Sequence, residues 1–106
     1  MEMDHVSKNA YTITLKYGHK LTGHLRMMKY QDGSPALMML CDDGREVLSV
    51  NLAGYGLKAP DGHIFVKDYS DHEGLADELV QLGIGEKVGP VRIGYGAGWL
   101  VKVVAE

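Results

Sequence analysis

Only one segment of this chain reads as an α-helix, and it stands late in a sequence otherwise made of short apolar runs divided by turn residues. Each parallel strand pair needs a long crossover, usually helical, so one helix excludes a doubly wound α/β fold and leaves antiparallel pairing. The helical segment opens with Ser70-Asp71-His72-Glu73. Ser70 and Glu73 have the spacing of a capping box, in which hydroxyl and carboxylate each satisfy a free backbone N–H. Leu75, Leu79 and Leu82 follow on one face, and Gly83 stands where a left-handed cap belongs. A helix is expected over residues 71–82, with Gly74 weakening it by about 1 kcal/mol relative to alanine.

The strands are read from alternation. Tyr11, Ile13, Leu15 and Tyr17 share one side of a half-buried strand, and Thr12, Thr14 and Lys16 the other. Leu21 to Tyr30 reads as a strand that changes face near its middle, because Leu25, Met27, Met28 and Tyr30 do not keep one parity. Gln31 to Pro35 is a turn by composition, and Asp43-Gly44 between the apolar runs Ala36–Cys41 and Glu46–Leu52 is a hairpin signal. After a glycine-rich loop over residues 53–62, His63–Lys67 is a short strand. Val88–Tyr95 and Trp99–Val104 close the chain, with Gly94, Gly96 and Gly98 turning or bulging between them. The expected architecture is α+β: one strongly curved antiparallel sheet of about six or seven short strands with the helix packed on it.

A length of 106 residues, 45% hydrophobic and 24% charged, fits a single ordinary domain and excludes disordered, collagen-like and disulfide-dense classes. Residues 1–9 read as a flexible N-terminal segment. Cys41 is the one cysteine, which excludes a four-thiolate zinc site and gives no sign of an oxidising compartment. No stretch approaches the ~18 apolar residues of a membrane span, and no signal peptide is visible. A cytoplasmic location and no membrane partner are expected.

Motifs with chemistry are scarce. Gly83-Ile84-Gly85-Glu86-Lys87-Val88-Gly89 and Gly94-Tyr95-Gly96-Ala97-Gly98 invite a phosphate-loop reading, but such a loop must follow a strand and open a helix. The first follows a helix and the second precedes only β-forming residues, so a helix cap and a hairpin turn are the simpler readings. His5, His19, His24, His63 and His72 show no helical metal pair, and Asp61, Asp68, Asp71 and Glu73 show no calcium-loop spacing. No metal and no cofactor are expected. Cys41 ends an apolar strand and reads as an inert thiol, Ser49 has no nucleophile context, and Ser70 reads as a cap, so no catalytic residue is assigned. Asn51, Lys67, Asp68 and Glu73 stand at strand ends near the helix start and could meet in one polar cluster, either a ligand site or a structural network.

Charge is the most informative pattern. Residues 1–66 hold seven basic and seven acidic side chains, whereas Asp68 to Glu86 holds six acids and no Lys or Arg. Asp77, Glu78 and Gln81 lie off the leucine stripe and, with Asp71, would form an acidic face, either a solvated helix surface or a docking site. That face disfavours direct nucleic-acid binding and suits a protein partner with a basic surface. Six methionines include the doublets Met27-Met28 and Met38-Met39. In a strand each doublet puts one member on either side of the sheet, so one would be core and the other covered by a helix or by a second copy.

Lys16-Tyr17-Gly18, Leu48-Ser49-Val50-Asn51-Leu52, Phe65-Val66-Lys67-Asp68-Tyr69 with Glu73-Gly74-Leu75, and Gly83-Ile84-Gly85 carry a resemblance that covers roughly residues 10–100. In this arrangement the chain resembles small bacterial domain-of-unknown-function proteins carried by plasmids, conjugative elements and phages. The resemblance implies a one-domain accessory protein with no assigned activity. Many small acidic proteins of such elements inhibit host defence systems, including anti-CRISPR and anti-restriction proteins. The leading expectation is a non-enzymatic protein-binding module that inhibits a host nuclease complex through the acidic helix face. A small ligand-binding domain or enzyme using Asn51, Lys67, Asp68 and Glu73, and a structural homodimer, are the alternatives.

Overall fold

Buried residues alternate with exposed or half-buried ones along the second strand from Lys20 to Met28, and only its last residue, Lys29, is exposed on the inward parity. Leu21, Gly23, Leu25 and Met27 all face inward, so this strand does not change face as its sequence suggests. Met28 is the reason for that suggestion: it is apolar but stands on the outer parity, and Tyr30 lies beyond the strand. The computed structural model describes residues 6–94 and 96–104. Its strands are β1 (Val6–Thr14), β2 (Lys20–Lys29), β3 (Pro35–Cys41), β4 (Gly44–Val47), β5 (His63–Lys67), β6 (Gly85–Ile93) and β7 (Gly96–Val103). One helix, α1 (Leu75–Gln81), lies between β5 and β6. β1 begins inside the segment expected to be flexible, and residues 1–5 of that segment lie outside the described residues.

The α+β class holds, but the strands form two sheets rather than one curved sheet. β1-β2-β3-β4 is an antiparallel meander, and β5-β7-β6 is a second antiparallel sheet. A lone bridge, Val50 to Phe65, joins them, with the Val50 N–H donating to the Phe65 carbonyl at 2.8 Å. The glycine-rich loop after β4 breaks the ladder, because residues 53–62 cannot continue regular pairing. The hairpin between β3 and β4 pairs Cys41 with Gly44, so Asp42 and Asp43 form its loop, one residue earlier than expected. Gly44 begins β4 at φ +146°.

The helix starts later than the capping-box spacing predicts. Ser70–His72 form a 3-10 turn, Gly74 is the helix N-cap at φ +93°, and no side chain caps α1. A left-handed residue cannot sit inside an α-helix, so Gly74 separates the two turns and acts as a start, not as a weak interior position. The Asp68 carboxylate accepts the N–H of the N-cap Gly74 at 2.6 Å, the service a capping box expects of the Glu73 carboxylate. The C-terminus follows expectation: the Ile84 N–H donates to Leu79 O and the Gly83 N–H to Val80 O, with Gly83 at φ +74°. These two bonds define a Schellman ending.

A seven-residue helix is unstable alone, so its stability comes from burial. Leu75, Ala76 and Leu79 enter one core with Ile13, Leu21, Leu25, Met27, Leu37 and Met39 of the first sheet and Ile64, Val66, Val101 and Val103 of the second. The helix therefore fills the space between the inner faces of both sheets, touching β1 on one side and β6 on the other.

Candidate functional site

Folding returns lysines to the acidic stretch that the sequence leaves uncompensated. Lys67 and Lys87 flank it in sequence, and both fold back on it: Lys67 pairs with Asp71 at 3.0 Å, and Lys87 pairs with Asp77. Lys87 also lies 4.4 Å from the centre of the Trp99 ring, a cation–π contact. Lys16 of the turn after β1 pairs with Glu73. Glu78 accepts the Thr14 N–H at 3.0 Å, so neighbouring carboxylates on α1 tie it to the two edge strands, Glu78 to β1 and Asp77 to β6. The expected acidic face thus has structural work to do. Asp71 and Asp77 nevertheless keep 71% and 67% of their side chains exposed, and Gln81 and Glu86 are exposed too. Lys67 holds the Asp71 carboxyl below its ordinary value, mainly through their hydrogen bond, so it is charged at neutral pH.

The expected cluster of Asn51, Lys67, Asp68 and Glu73 divides between different partners. The antiparallel bridge at Val50 and Phe65 sends Asn51 towards Ile64 and away from Lys67. Asn51 instead donates to Asp32 at 3.0 Å and accepts the Ala53 N–H at 3.0 Å, joining the β2–β3 turn to the loop after β4. Lys67 takes Asp71, Asp68 takes Gly74, and Glu73 takes Lys16. Each polar group is thus used to hold a loop or a helix end.

Asp32 shows what such a contact does to a titration. Hydrogen bonds from the Ser34 hydroxyl and N–H and from Asn51 hold its carboxyl down at about 2. A carboxyl lowered in the folded state stabilises fully above its unfolded value of about 4, and that contribution disappears as pH falls through about 2. Asp32→Asn is expected to reduce stability at neutral pH and to flatten the acid side of the stability profile. Urea midpoints of both proteins across that range measure this.

A polar cleft of about 500 Å³ lies open between the β1–β2 turn and the β3–β4 hairpin, with His19, Cys41, Asp42, Asp43, Arg45 and Glu46 on its walls. Burial and three neighbouring carboxylates, Asp43, Glu46 and Asp42, push the Cys41 thiol up, the opposite of what a thiolate nucleophile requires. His72 is half-buried near Glu46 and His19; burial holds its imidazole below the ordinary value, and its Nδ1 has no hydrogen-bond partner. Among the described residues no three His, Cys, Asp or Glu side chains converge as a metal site. No helix among them is long and apolar enough to cross a membrane.

The doublets split as expected: Met27 and Met39 are core residues, whereas Met28 and Met38 lie on the other side of the first sheet. The register completes that outer side. Val6, Arg26, Met38 and Val47 form one row across the four strands, and Ala10, His24, Leu40 and Arg45 form the next. Thr14 with Lys20 and Met28 with Ala36 lie on the same side. Comparison with protein-family models, with curated proteins and with solved structures found no match.

Proposed function

We propose that this protein is a non-enzymatic protein-binding module, an accessory protein of a mobile element that inhibits a nucleic-acid-handling host complex through the acidic surface around α1. The exposure of Asp71 and Asp77 carries the reading. Surface ion pairs contribute little to stability and are screened by salt, so Lys67 and Lys87 exchange readily for a partner's arginines. Such a partner gains bidentate carboxylate contacts, and its long-range attraction to the acidic side speeds encounter. A basic protein surface that normally holds nucleic acid has the required chemistry.

The fold selects the test. Glu78 anchors β1, so changing it mixes binding with stability. Asp71→Asn with Asp77→Asn leaves that backbone anchor in place and removes only ion pairs of exposed carboxylates, which contribute little to stability. The double variant is expected to keep its circular dichroism spectrum and to lose about tenfold in affinity for the partner, with a weaker salt dependence. The partner is found by affinity capture from nuclease-treated bacterial lysate with mass spectrometry. Unchanged affinity and salt dependence would overturn the acidic surface as the site.

A further inference from the structure

We infer that the Ser70–His72 turn is an acid-sensitive switch: it holds the His72 ring neutral, and protonation drives the ring out to water and opens the turn that carries Asp71. The inference goes beyond the function proposed above, because it concerns how the fold responds to pH and holds whether or not Asp71 meets a partner. The turn is built under strain. Ser70 sits at φ +57°, the one non-glycine residue with positive φ among those described, and Gly74 follows at φ +93°. A serine persists in the left-handed region only where its surroundings enforce it, and here a second left-handed residue bounds the turn on its other side. Asp68 and Lys16 secure the residues after the turn, through the Gly74 N–H and the Glu73 carbonyl. The turn's own backbone bonds are longer, from the His72 N–H to Tyr69 O at 3.1 Å and from the Glu73 N–H to Ser70 O at 3.2 Å. Packing of the His72 ring is what remains to hold it closed.

The ring is placed for neutrality. With its proton on Nε2, an imidazole presents only an acceptor at Nδ1, and Nδ1 of His72 is buried without a hydrogen-bond partner. Protonation creates at that atom a charged donor with no acceptor in reach, which costs far more than a bare acceptor. Burial is the dominant influence and holds the imidazole below its ordinary value of 6.5. Of the groups facing the ring, Asp71 in the turn itself and Glu46 on β4 favour the cation, whereas Lys67 at the end of β5 and His19 in the β1–β2 turn oppose it. A ring released to water takes its proton at the ordinary value. The closed turn therefore has its full advantage above about 6.5 and loses it as pH falls below that, until the folded ring itself titrates. Because Asp71 lies within the turn, opening also parts it from Lys67.

The test is an NMR titration of the isotope-labelled full chain from about pH 7.5 to 5.5, read at the His72 ring protons and by amide hydrogen exchange. Expected are a His72 midpoint below about 6.5 and a fall of up to about tenfold in the protection of the His72 and Glu73 amides, since only the released ring takes its proton freely. Amides of β2 are expected to keep their protection, which separates opening of the turn from unfolding of the chain. These readings need no variant. His72→Phe replaces the imidazole with a ring that takes no proton, and its turn is expected to stay closed at both pH values. The inference is overturned by a His72 midpoint at or above about 6.5, by protection of residues 72–73 that does not change with pH, or by an equal loss of protection in β2. The same pH dependence in His72→Phe also overturns it. None of these results bears on the acidic surface, whose own test uses Asp71 and Asp77.

Discussion

Replacing Leu79 by alanine is expected to cost about 2–5 kcal/mol of folding stability, the range for a fully buried leucine whose cavity cannot collapse. Leu79 has no exposed surface and occupies the centre of the helix face that enters the core. Its Cβ lies against Gly85 at the start of β6, and its carbonyl accepts the Ile84 N–H that ends the helix. Loss of its side chain therefore weakens the packing of α1 on both sheets, and a seven-residue helix has little else to hold it. A domain of this size has about 5–15 kcal/mol in total, so this change removes a large share. Chemical denaturation with circular dichroism and tryptophan fluorescence measures it, Trp99 being the one tryptophan. A midpoint within error of the parent would show that α1 is not part of the cooperative core.

Gly23→Ala is the second large effect, with an expected cost of about 1–3 kcal/mol from overpacking. A Cβ at Gly23 would stand 2.7 Å from the carbonyl carbon of Leu40 and closer still to its oxygen. Both are backbone atoms of the adjacent strand, so relief requires β2 and β3 to separate or their ladder to shift. Gly33, by contrast, has open space around its Cβ position, and its constraint is a φ of +87°. The two glycines thus serve different physical ends, close approach and turn geometry. Thermal unfolding of Gly23→Ala is the measurement, and an unchanged melting temperature would mean that the β2–β3 approach is looser than its register implies.

Much of the fold was legible in local order. The alternation marks the buried side through Ile13 of β1 and Leu15 just after it, and Gly83 marks the helix end because only a left-handed residue closes the Schellman pair. The methionine doublets announce a sheet with two different sides, since strand periodicity alone separates Met27 from Met28 and Met38 from Met39. Reading failed at two places. Met28 is apolar on the outer side of β2 and so imitates a change of face, and Gly74 begins the helix at a position where spacing alone places its first turn. Both roles depend on a neighbour or a backbone conformation that the linear pattern does not contain.

The candidate sites divide along the same line. Composition located the acids between Asp68 and Glu86, and their side of the molecule follows from the leucine stripe of α1. What those acids do was decided by the tertiary structure: Lys16, Lys67 and Lys87 reach Glu73, Asp71 and Asp77, and β1 offers the Thr14 N–H to Glu78. Asn51 was separated from Lys67 by the direction of one antiparallel bridge. The sequence by itself determined the antiparallel α+β class, the helix end and the apolar members of the core, because these depend on backbone preference and periodicity within a few residues. The division into two sheets and the partners of each charge depended on contacts between residues distant in the chain, and only packing of the whole molecule selects those.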